Sequence, residues 1–166
     1  MDQDLKVLLD RLDSSQKNKK QGRAKALTEE DAWVGKFEEV RRKVIKPTLE
    51  SLGEQIRTRD HDFNIVETKF RRDNRAIPDE ASIRIDIYLS NERTRTGVGM
   101  DRRPHVAFTT HHRSEMVHVT ICDITSKGGV VSKIGEFPLE KIDAALVRDK
   151  FIALFNRLLS QQGQAQ

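Results

Sequence analysis

One cysteine, Cys122, is all that the 166 residues contain, so no internal disulfide framework can form. Asp2 and Asp4 stand where a secretory leader would be basic. Together these point to a reducing, cytoplasmic setting. No apolar run approaches the ~20 residues of a membrane-spanning helix, which argues against a membrane protein. Aromatic residues make up only 5% of the chain. The core must therefore be aliphatic, and a base-stacking platform for single strands lacks its material. HxH and CxxC spacings are missing, as is a GxSxG elbow. The single GxG, at Gly97 and Gly99, lacks the third glycine, the Lys-Ser/Thr and the strand-to-helix setting of a phosphate loop. No cofactor and no metal are expected on these grounds.

What is present is charge and a changing hydrophobic period. Charged residues make up 34% of the chain and the net charge is +4, a mildly basic balance compatible with a polyanion but not diagnostic of one. Up to about residue 60, apolar residues recur at helical spacing, as in Trp33, Phe37, Val40 and Val44, then Leu49, Leu52 and Ile56. They then alternate: Ile83, Ile85, Ile87 and Leu89 enclose Arg84, Asp86 and Tyr88. Beyond residue 139 helical spacing returns with Val147, Phe151, Leu154, Phe155 and Leu158. Helices bury a stripe and half-buried strands bury every second side chain. The fold class that follows is α+β: an N-terminal helical arm, a long kinked helix, a five-stranded mainly antiparallel meander sheet and a C-terminal amphipathic helix.

Three units follow along the chain. Residues 1–27 read as a helical arm plus basic linker, 28–160 as a single α+β domain, and 161–166 as a disordered tail. In the arm, Leu5, Leu8, Leu9 and Leu12 fall on one face of a helix over 3–13. A helix that short rarely holds alone, so the leucines need a surface, most simply that of a second copy. Residues 14–27 hold Lys17, Lys19, Lys20, Arg23 and Lys25 with no acid, which reads as a solvated basic linker. Thr28 with Asp31 fits a capping box that would start the long helix. Pairs Glu38–Arg42 and Glu39–Lys43 would support it, and Pro47 predicts a kink near 44–46. Strands are placed near 61–71, 81–90, 104–113, 116–125 and 129–137. Asp143 is positioned to cap the last helix.

Candidate sites are dispersed. A turn at Ser114–Glu115 would set His111 opposite His118, ~5 Å apart at Cβ on a polar sheet face. Cys122 lies too far along the strand to complete a metal site with them. Two loops are basic: Arg71, Arg72 and Arg75 in 69–75, and Arg93, Arg95, Arg102 and Arg103 in 91–103. Leaving the same end of the sheet, they would form a positive rim. Asp86 and Arg84 read as a surface ion pair. The function expected from all this is that of a non-enzymatic interaction or regulatory protein. It would form a homodimer through its N-terminal helices and present the polar face and basic loops to a macromolecular partner. Two alternatives stand beside it: a nucleic-acid binder contacting phosphates through 17–25, 69–75 and 91–103, and an enzyme with a dispersed site near His111 and His118.

Overall fold

A computed structural model describes residues 3–73, 77–92 and 102–163, with side chains from Leu5 onward. The chain begins with one long helix. α1 spans Gln3–Val40, continues through a wide π-helical turn at Arg41–Ile45, and runs on as α2, Lys46–Arg57. Residues 14–27 are therefore helical rather than an irregular linker, and arm and long helix are one element. The composition permits this: the segment has no proline and one glycine, and Lys, Arg, Gln and Ala are good helix formers. Thr28 does not cap. Its hydroxyl donates to the carbonyl of Ala24 at 3.0 Å, a mid-helix bond, because the chain N-terminal to it is already helical.

Pro47 produces a wider turn in place of a break. A proline ring crowds the carbonyl four residues earlier and supplies no N–H. The Lys46 N–H reaches back to the Arg41 carbonyl, a five-residue step that lifts this part of the ladder clear. The turn also corrects the phase. Phe37, Arg41, Ile45 and Leu49 are all buried and follow three successive steps of four. Each such step rotates the stripe by ~40° on an α-helix, and the extra residue in the turn absorbs the drift. Ile45, not Val44, is thereby the residue that enters the core. Glu38 pairs with Arg41 instead of Arg42, while the Glu39–Lys43 pair forms as expected.

Five antiparallel strands follow in sequence order: β1 Asp62–Thr68, β2 Ser82–Tyr88, β3 His105–His111, β4 Met116–Cys122 and β5 Val131–Phe137. Alternation set their faces. Ile83, Ile85, Val106, Phe108, Val117, Val119 and Ile121 are wholly buried on one side. α2, the end of α1 and the last helix, α3 (Ala144–Gly163), cover that side. α2 lies so close on β1 that a β-carbon on Gly53 would come within 2.5 Å of the Phe63 ring.

At the N-terminus of α3, Asp143 Oδ1 accepts the N–H of Leu146 at 2.8 Å, the capping bond expected of it. The helix does not stop at Ser160. Gln161 donates to the Asp123 carbonyl at 2.8 Å and accepts from Thr125 at 3.1 Å, which carries the helix to Gly163. Residues 164–166 of the expected disordered tail lie outside the described residues.

Candidate interaction surface

Every described side chain from Leu5 to Glu29 is exposed. At 1.5 Å per residue this part of α1 is a spar of about 37 Å standing clear of the body. Steps of three and four lead from the buried Phe37 and Trp33 back through Ala26, Arg23 and Lys19 to Leu12, Leu9 and Leu5. The face that docks on the body is thus the face that overhangs its edge. Leu5, Leu8, Leu9 and Leu12 are 50%, 61%, 43% and 53% exposed at the tip. Behind them come Lys17, Lys19, Lys20, Arg23 and Lys25. Lys25 reaches Glu29 at 3.9 Å. Among the described residues the other four have no ion-pair partner.

Where the spar meets the body, a cleft of about 420 Å³ opens between α1, residues 72, 73 and 78, and the β3–β4 turn. Arg23, Arg72, Arg113 and His112 line it, with Glu30 and Asp73. Arg72 bridges to Glu30 at 2.7 Å and to Asp31 at 3.2 Å, so its charge is largely consumed. Arg71 lies exposed beside it, and its backbone pairs with that of Asp79 to close the loop. The floor of this end is built on Glu80. Its carboxylate accepts from Thr110 Oγ1 at 2.7 Å and lies 2.5 Å from His112 Nδ1. The His112 ring rests edge-on against Phe70 at 5.3 Å.

The two basic segments leave the sheet at opposite ends. The chain between β1 and β2 leaves one end of the sheet, and that between β2 and β3 leaves the other, because adjacent antiparallel strands turn at alternate ends. Seven-residue strands separate them by ~20 Å. The described residues of the two segments therefore form no single rim. Arg102 is exposed at the far end, and the Arg103 guanidinium stacks 4.4 Å from the Tyr88 ring centroid. Arg75, Arg93 and Arg95 lie outside the described residues.

The polar sheet face carries His111 and His118 as a parallel stack, with ring centroids 4.7 Å apart and planes at 11°. Their register differs from the expected one. His111 pairs with Met116 and His118 with Thr109, because the connection is a four-residue turn, 112–115, with Glu115 at φ +52°. Glu80 draws His112 out of the strand to make that turn. A slip of two residues preserves faces, so the rings meet diagonally instead of directly across. His111 Nδ1 lies 2.7 Å from Ser114 Oγ, and His118 Nε2 lies 3.3 Å from Glu136, which also pairs with Lys133. Burial lowers the His118 pKa, and the Lys133 ammonium lowers it further. Lys133 in turn holds the Glu136 carboxyl below its ordinary value. Among the described residues no group of three or more His, Cys, Asp or Glu is placed to hold a metal ion.

Comparison with protein-family models, curated proteins and solved structures finds no match. No helix among the described residues is long and apolar enough to cross a membrane.

Farther along the same face lies a row that the sequence reading passed over. Asp86, His105 and Cys122 occupy directly paired positions on β2, β3 and β4. Asp86 is 1% exposed, 2.8 Å from Arg84 Nε and 4.0 Å from His105 Nδ1. The expected surface pair thus joins a buried carboxylate to a half-buried guanidinium. Acid, imidazole and thiol in line suggest nucleophilic chemistry, but the properties of the row oppose it. Burial raises the Cys122 pKa, so the thiol stays protonated, and it is inaccessible. Burial likewise raises the Asp86 pKa against the pull of Arg84. The row is a polar packing cluster. Only the order and register of three strands could have revealed it, since its members lie 19 and 17 residues apart.

Proposed function

We propose that this chain is a non-enzymatic interaction protein that self-associates as a two-fold dimer through the tip of α1, holding its body out for a macromolecular partner. The observation that carries the reading is the stripe of four leucines displayed to water at the end of a helix whose residues from Leu5 to Glu29 are all exposed. A lone helix in water depends on packing for most of its stability. Fully burying a leucine is worth ~1.5–3 kcal/mol, and two copies would bring eight of them together, against an association cost of ~4–15 kcal/mol. An antiparallel crossing about Leu8 and Leu9 fits better than a parallel one. Parallel helices would set the five basic residues of one copy beside those of the other. A cytoplasmic home accords with a single buried cysteine.

The test is light scattering and sedimentation of the full chain beside a Leu8→Asp, Leu12→Asp variant. Both positions are exposed, so the body folds in either case. A wild-type dimer and a monomeric variant of unchanged Tm support the reading. A wild-type chain that stays monomeric on concentration, or a variant that stays dimeric, overturns it.

A further inference from the structure

The leucine tip accounts for the end of the spar but not for its middle. Residues 14–27 carry five positive charges and no negative one. On the body, arginines are consumed by acids: Arg41 by Glu38 and Glu67, Arg57 by Glu54 and Asp62, Arg72 by Glu30 and Asp31. On the spar, Lys17, Lys19, Lys20 and Arg23 have no such partner among the described residues. They also repel one another. Lys17–Lys20 and Lys20–Arg23 are three apart and Lys19–Arg23 four apart, spacings at which like charges destabilise a helix by ~0.2–0.5 kcal/mol per pair. A helix that repels itself along one section is relieved by a polyanion.

We propose that this section of α1, together with Arg113 on the β3–β4 turn, binds the phosphate backbone of double-stranded nucleic acid. Three features select a duplex. A bare helix ~10–12 Å across matches a major groove ~12 Å wide, and Lys17, Lys19, Lys20 and Arg23 are all exposed on this one. At ~100° per residue, Lys19, Arg23, Lys20 and Lys17 spread over ~160° of the helix surface, so cations face both phosphate walls of a groove. Nothing aromatic lies between Leu5 and Ala32, and Trp33 is buried, so a single strand finds no stacking surface. Arg113 extends the contact to the body, since it shares the cleft with Arg23. Glu30 and Asp73 in that cleft keep the duplex on the spar side of it. Contacts of this kind go to phosphates and carry no sequence information, so binding is non-specific. The proposal stands independently of self-association.

The experiment is fluorescence anisotropy of a labelled mixed-sequence duplex titrated with the full chain at ~50 and ~200 mM salt. Four to five phosphate contacts give an affinity falling roughly 100- to 500-fold between those conditions. A Lys17→Gln, Lys19→Gln, Lys20→Gln, Arg23→Gln variant changes only exposed residues and should keep its fold, checked by its Tm. It is expected to lose most of the affinity and most of the salt dependence. An Arg59→Gln, Lys141→Gln variant, altered on exposed body positions, should bind as wild type. No binding at the lower salt overturns the proposal, as does undiminished binding by the quadruple variant. Tighter capture of a polyglutamate chain or of the single strand than of the duplex overturns it as well.

Discussion

The guanidinium of Arg41 donates a hydrogen bond of 2.7 Å to the main-chain carbonyl of Thr68, joining the wide helical turn to the end of β1. The same Nη1 also reaches the Ser82 carbonyl at 3.0 Å, at the start of β2. Glu38 and Glu67 balance its charge. A buried arginine thereby ties helix, β1 and β2 together at the end where the spar leaves the body. Arg41→Met keeps the bulk and removes both bonds and the charge, stranding the carbonyls and the Glu38 carboxylate, while Glu67 keeps Lys46 at 2.8 Å. Urea unfolding should show a loss of about 2–4 kcal/mol. Arg41→Lys, with charge but no fork, should fall between the two. A methionine variant as stable as wild type would mean that the tie contributes nothing.

Stability should decline on mild acidification, with His118 a contributor. Its folded pKa lies below the ordinary 6.5 because of burial and the nearby Lys133. As pH falls through 6.5 the unfolded chain takes the proton first, so folding loses stability down to the folded pKa and no further. Tm measured from pH 7.5 to 5.5 should fall, and His118→Gln should fall less. Glu136 belongs to a separate window. Its lowered pKa supplies stability above the ordinary 4.5, lost only as pH drops below that value. Equal slopes for wild type and His118→Gln between 7.5 and 5.5 would remove His118 from the account.

Gly129 closes the β4–β5 turn at φ +126°, and a β-carbon there would stand 2.4 Å from the Asp123 carbonyl oxygen. Gly128 is also left-handed, at φ +116°, but faces open space. Gly129→Ala should therefore cost more than Gly128→Ala, by about 1–3 kcal/mol in chemical denaturation. Equal costs would mean that the turn relaxes around the new methyl.

The sheet was legible because burial on one face writes itself as alternation. All five strands lie where Ile83, Ile85, Phe108, Val119 and their neighbours put them, a few residues shorter at some ends. Helical residues 14–27 were not legible for the opposite reason. A helix solvated on all sides has no apolar stripe to announce it, and only the scarcity of breakers hinted at it. Parity placed His111 and His118 on one face, yet the register goes with a turn in which His112 meets Glu80, 32 residues away in sequence. The approach of Arg23 to Arg113, and the parting of the two basic loops, depend on which end of a strand each segment leaves. Local spacing carries no trace of that.

In a dimer joined at its tips, the single helix from Gln3 to Arg57 would act as a ruler. A hinge between tip and body would let two joined copies wander, but a rod allows one separation. With tips crossed antiparallel at Leu8 and Leu9, the bodies, which begin at Glu30, would be held about 65 Å apart. Distance between two binding surfaces then becomes a count of residues, each worth 1.5 Å, written into a stretch that has no core to serve.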